Sequence, residues 1–94
     1  VFEIRKESLD RIVMAGRCHT GQVERMREVF DTVSTSCTVD FATLDYISSA
    51  GLGVLLSVQK RLGASGAALS LQNLNDHIRE VFRITGFDGL FDIR

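Results

Sequence analysis

The sequence predicts an α/β domain: a mixed, mostly parallel sheet of four to five strands with helices packed against it. Three observations carry that expectation. Short β-rich runs alternate with segments of helical period, in the order ββαβαβα with a terminal strand. Such alternation sets strands side by side with helices as crossovers. The 94 residues suit one domain, residues 1–94, and leave little room for a second core. A composition 45% hydrophobic and 24% charged belongs to a chain that buries a core and stays folded.

Each element has its own signal. "FEIRKE" and "RIVMAGR" flank the polar "SLD" and suit an N-terminal strand pair with a turn at Ser8 to Asp10. In "GQVERMREVFDTV", Val23, Met26, Phe30 and Val33 recur at spacings of three and four, with charged residues between them. That is an amphipathic helix. "STSC" ends it, and "CTVDFA" reads as a central strand with Cys37, Val39 and Phe41 on one face and Thr38 and Asp40 on the other. A second helix is expected from about Ser49 to Leu62. Leu52, Leu55, Leu56, Gln59 and Leu62 form its inner side, and Val54 and Val58 widen it. "GASG" punctuates the chain, and "AALSLQN" alternates as a further strand. Asn75 or Asp76 caps a third helix, "HIREVFRITG", with Ile78, Val81 and Phe82 inward and Gly86 ending it. "LFDIR" supplies the last strand.

Composition excludes several classes of function. Eleven Lys and Arg stand against twelve Asp and Glu, a formal charge of −1. No basic surplus recommends nucleic acid or an anionic membrane. Cys18 and Cys37 are too few for a disulfide framework or a zinc site and read as buried thiols. There is no apolar run of membrane-spanning length, and "VFEIRKESLD" lacks the features of a signal peptide, so a cytoplasmic location without membrane insertion is expected. Asp10, Asp31, Asp40 and Asp45 show no metal spacing, and "GLG" lacks the lysine of a phosphate loop. The G-x-S-x-G elbow of a serine hydrolase is absent, and neither His19 nor His77 is placed as its base. No enzyme activity, metal or cofactor is expected.

The stretch "DYISSAGLGVLL" is the informative one. Ser48 and Ser49 fall where a strand gives way to a helix, and a helix N-terminus favours oxygen acceptors and negative charge. One serine there serves as a helix cap, or a hydroxyl there is modified. A phosphate would add about 1.5 to 2 negative charges.

The span from "VDFATLDYISSAGLGVLL" to "REVFRITGFDGLFDIR", with "AGRCHTGQVERMREV" before it, resembles the STAS domain, and within it the bacterial anti-sigma factor antagonists. The likeness covers essentially the whole chain. It implies a protein-interaction switch: the antagonist binds an anti-sigma factor, a serine kinase, and phosphorylation of one serine ends the complex. The family pattern of Asp, phosphorylated Ser, a second Ser or Thr, and Gly falls on Ser48, Ser49, Ala50 and Gly51, so the resemblance implies Ser49 as the phosphoacceptor, with Ser48 as second choice. Ser48 thus replaces the usual Asp and Ala50 the second hydroxyl. A further acidic position after the second strand falls on His19, beside Thr20. Partner binding is expected at Ser48, Ser49, Ala50, Gly51, His19 and Thr20. The alternative is a STAS scaffold or regulatory domain without a phosphoserine, part of a larger transporter or signalling protein; a chain beginning at Val1 and not Met keeps that alternative open. Neither reading specifies an oligomeric state.

Overall fold

A computed structural model describes all residues, 1–94. Strand β1 (Phe2–Ser8) turns into β2 (Arg11–Cys18); a 3-10 turn at Thr20–Gln22 leads into helix α1 (Val23–Phe30). Strand β3 (Cys37–Ile47) runs into α2 (Ser49–Gly63), β4 (Leu69–Gln72) into α3 (Asp76–Thr85), and a second 3-10 turn (Phe87–Gly89) precedes β5 (Asp92–Ile93). The five strands lie side by side in chain order. β1 pairs with β2 antiparallel, and every later pairing is parallel. The expected mixed, mostly parallel sheet is therefore the observed one.

Alternation assigns the two faces of the sheet. Ile12, Met14, Val39, Phe41, Leu69 and Leu71 are at or near zero exposure and lie on the face the helices cover. Met26 and Phe30 of α1, Leu55 and Leu62 of α2, and Ile78 and Phe82 of α3 complete one continuous core with them. At the α3 end the core is aromatic. Phe82 meets Phe41, Phe87 and Phe91 edge to face, with ring centroids 5.9 to 6.5 Å apart, a preferred arrangement for aromatic quadrupoles. The other face, with Arg11, Asp40, Ser70 and Gln72, stays partly open and carries polar pairs such as Arg11 Nη2 to Asp40 Oδ2 at 2.6 Å.

The helix ends follow capping chemistry. Asn75, and not Asp76, caps α3: its Oδ1 accepts from the Ile78 N–H at 2.8 Å while its Nδ2 donates to the Leu44 carbonyl at 3.1 Å. Gly86 ends the helix in the left-handed conformation at φ 77°, which glycine adopts without a Cβ penalty. In α2, Val54 and Val58 are buried as deeply as the leucines, whereas Leu56 and Gln59 are half-buried. Gln59 works by hydrogen bonding, accepting from the Leu69 N–H and donating to the Leu90 carbonyl, each at 2.8 Å.

Several boundaries differ from expectation. The first helix is shorter than the Gly21–Val33 pattern, because its start is a 3-10 turn; Val33 is buried from the loop that follows. The last two strands are trimmed to Leu69–Gln72 and Asp92–Ile93. The largest difference is β3, which continues past Ala42 to Ile47. Its register against β2 shifts twice, between Val13 and Ala15 and between Gly16 and Arg17. The buried positions change accordingly from Cys37, Val39 and Phe41 to Leu44 and Ile47. Bulges of this kind re-aim a strand near its end.

Candidate functional site

Strands β2 and β3 end together. Cys18 is paired with Ile47, and the next residue, Ser48, donates its N–H to the Cys18 carbonyl at 2.9 Å. Both following segments therefore emerge at the same edge of the sheet: His19 and Thr20 from β2, Ser48 and Ser49 from β3.

The two serines occupy different environments. Ser48 is in the extended conformation at φ −77°, ψ 165°, only 6% exposed, and is the N-cap of α2. Its Oγ accepts from the Gly51 N–H at 3.2 Å, which satisfies one of the helix's unpaired donors. Ser49 is the first helical residue and is exposed. Ala50 is half-buried against the core, and Gly51 is buried. A Cβ at Gly51 would stand 2.8 Å from Ile47 Cγ1 and 3.3 Å from Cys18 Sγ, so the absence of a side chain lets the first turn of α2 close onto the strand ends. Ser48 and Gly51 thus hold the turn from beneath, and Ser49 is the exposed serine of that turn. The first turn contains no acidic side chain, so the positive end of the helix dipole near Ser49 is not offset by a local carboxylate.

Beside this turn, His19 and Thr20 are exposed. The His19 ring packs against Tyr46 with centroids 5.0 Å apart and a 38° tilt. On the same tyrosine, the Arg17 guanidinium lies 4.9 Å from the ring centroid. Arg17 and Tyr46 face each other directly in the β2–β3 register. Neither was singled out from sequence, although each lies within two residues of a predicted site position; the signal would have been the pairing of those two strand ends.

The remaining chemistry-bearing groups are structural. Cys18 and Cys37 are free and buried, and burial raises both thiol pKa values, away from reactive thiolate. No group of His, Cys, Asp and Glu side chains is arranged to hold a metal ion. At Asp40, burial alone would raise the carboxyl pKa, but hydrogen bonds from Asn73 and the Ala42 N–H and the charge of Arg11 outweigh it and hold it low. No helix is long and apolar enough to cross a membrane.

The chain is similar to known proteins in both sequence and fold. Residues 6–92 match the family described as "Mlab, STAS domain". BtrV of Bordetella bronchiseptica, named as a candidate anti-sigma factor antagonist, is 49% identical over 55 residues, 58% of this chain and 47% of that protein. The anti-sigma-B factor antagonist of Bacillus subtilis is 36% identical over 50 residues, 53% of this chain and 46% of that one. The matched segments thus span about half the length of these two relatives. In three dimensions the chain is similar over its whole length to the anti-sigma factor antagonist SpoIIAA in its unphosphorylated form, with a TM-score of 0.78 at 22% identity and 88% of that chain covered. The phosphorylated form of SpoIIAA gives a TM-score of 0.71 at the same identity, with all of this chain and 91% of that one covered.

Proposed function

The chain belongs to the STAS domain family, and from that premise we propose that it is an anti-sigma factor antagonist: a cytoplasmic, non-enzymatic interaction switch that binds a serine-kinase anti-sigma factor. Phosphorylation of Ser49 breaks the complex. The observation that carries this reading is the division of labour between the two serines. Ser48 spends its hydroxyl on the helix cap and is buried, while Ser49 stands exposed on the first turn. A kinase needs the exposed hydroxyl. Support also comes from the names of the relatives, which are anti-sigma factor antagonists, and from SpoIIAA, solved in both phosphorylation states.

The chemistry is that of a removable charge. Unmodified, Ser49 offers a small neutral hydroxyl over a helix N-terminus. A phosphate there gains from the helix dipole, so the modified state is compatible with the fold. The same charge changes what a partner meets at close range, through repulsion or desolvation at the interface.

A second reading has its own observation. Ser48, Ala50 and His19 stand where the antagonist pattern has an Asp, a second hydroxyl and an acid, which favours a STAS scaffold or regulatory domain whose Ser49 is never modified. One experiment separates the two. Incubation of the protein with serine-kinase anti-sigma factors of its source organism and ATP, followed by peptide mass spectrometry, should place a single phosphate on Ser49, absent from Ser49→Ala. Modification of Ser48 instead, or none by any kinase that binds the protein, would overturn the switch.

A further inference from the structure

We propose that Arg17, Tyr46 and His19 form a recognition platform for an acidic segment of the protein that reads Ser49; this rests on the switch reading and names the chemistry of its partner. Every other arginine except Arg79 is already held by a carboxylate or a backbone carbonyl within the chain. Arg17 has only the face of Tyr46. The guanidinium lies over the ring at 4.9 Å, a contact that restricts its freedom, and its N–H groups are not taken up by any carboxylate or carbonyl of the chain. A planar fork held in this way suits bidentate capture of a carboxylate and loses less side-chain entropy on doing so. His19, in tilted contact with the same tyrosine at 5.0 Å, adds a ring N–H donor to the platform.

Position ties the platform to the switch. Arg17 faces Tyr46 one pair before the strands end at Cys18 and Ile47, and Ser48 and Ser49 follow at once. A partner that covers this edge of the sheet can reach both Ser49, on the α2 side, and the platform, across the strand ends. Asp45, exposed next to Tyr46, makes no ion pair with Arg17 and leaves its charge uncompensated. The site is an open rim: the concave groove of this fold lies elsewhere, between α3 and β5, lined by residues such as Arg79, Arg83 and Phe91. An exposed rim with two donors matches side-chain carboxylates on a protein surface better than a small anion needing an enclosed cradle of N–H groups.

The test has a part that needs no partner. An oligoglutamate peptide, an oligolysine peptide and inorganic phosphate are titrated into the isotope-labelled protein and followed by NMR. Oligoglutamate should shift the Arg17 Nε–H and the His19 and Tyr46 ring signals, and Arg17→Gln should abolish the effect. Equal shifts at Arg79, no shift at all, or the same shifts from phosphate alone would overturn the proposal. In the second part, affinity for a bound serine-kinase anti-sigma factor is measured with Arg17→Glu, Arg17→Lys and Ser49→Glu, each checked for native circular dichroism. Arg17→Glu should weaken binding roughly tenfold or more, and Arg17→Lys, which keeps charge without the planar fork, by less. Wild-type affinity in Arg17→Glu with loss in Ser49→Glu would sink the platform and leave the switch standing. The reverse pattern would sink the switch and leave the platform.

Discussion

Ser48 Oγ lies 3.2 Å from the Gly51 amide nitrogen and accepts its hydrogen, closing the first turn of α2 over the ends of β2 and β3. This bond fixes which serine is structural. Ser48→Ala removes the cap and should cost about 1 kcal/mol, a fall in Tm of roughly 4 to 8 °C for a domain of this size. Ser48→Asp should retain most of the stability, because aspartate caps as well as serine and its charge suits the helix N-terminus. Differential scanning calorimetry on the two variants decides it: equal losses in both would mean that the hydroxyl has no capping role.

Gly51 and Gly53 sit two residues apart in α2 and should respond in opposite directions to alanine. At Gly51 a Cβ would press on Ile47 at 2.8 Å, and at Gly53 it would meet nothing within 4 Å. Gly51→Ala should destabilise by about 1 to 3 kcal/mol through overpacking against the strand ends. Gly53→Ala should stabilise by roughly 0.5 to 1 kcal/mol, since alanine fixes less backbone entropy in a helix interior. Urea denaturation of both proteins gives the sign directly. A destabilised Gly53→Ala would contradict the open space above that position.

Asp40 anchors the bulged part of β3. Its Oδ1 accepts from the Ala42 N–H at 2.8 Å and from Asn73 at 3.1 Å, and Oδ2 accepts from Arg11 at 2.6 Å. Asn73 is held there in the left-handed region at φ 63°. The folded carboxyl pKa lies below its ordinary value, so the stabilisation is fully present above the unfolded pKa of about 3.9 and is lost as pH falls through the folded value. Asp40→Ala should cost about 1 to 3 kcal/mol at neutral pH, because donors on three sides lose their acceptor. In acid titrations followed by circular dichroism, the gap between wild type and variant should narrow below about pH 4. A gap independent of pH would assign the loss to packing instead.

The fold was legible where one period ran uninterrupted. Ile78 and Phe82 in α3, or Val39 and Phe41 in β3, announce their faces because nothing breaks the repeat before the element ends. From Phe41 onward the buried residues of β3 are Leu44 and Ile47, three apart, a spacing native to helices that here comes from two register shifts against β2. A strand ending inside such bulges has no period-two signature to read. The site was half legible for the same reason. Two serines before a helix announced a cap, but which one served depended on where the strand stopped, and the Ser48 N–H bond to the Cys18 carbonyl decides that. The contacts of Tyr46 with Arg17 and with His19 depend on strand pairing, which local sequence does not contain.

The last prediction separates the switch from the fold. Ser49 is exposed at the first position of α2, its hydroxyl is not the capping group, and no acidic residue occupies that turn. Ser49→Ala should therefore change stability by no more than about 0.5 kcal/mol. Ser49→Glu places a carboxylate near unpaired helix N–H groups and should gain about 0.3 to 1 kcal/mol from the dipole, so its Tm should equal or exceed that of wild type. Calorimetric binding to a serine-kinase anti-sigma factor should then show Ser49→Ala binding as wild type and Ser49→Glu binding more weakly. The mimic should be less disruptive than phosphate, since it carries about one charge in place of nearly two. Because the glutamate helps the helix and hurts only the complex, a loss of affinity without a loss of Tm places the effect at the interface. If Ser49→Glu instead melts as early as Ser48→Ala, weakened binding would report a frayed α2, and the charge at Ser49 would have no separate role.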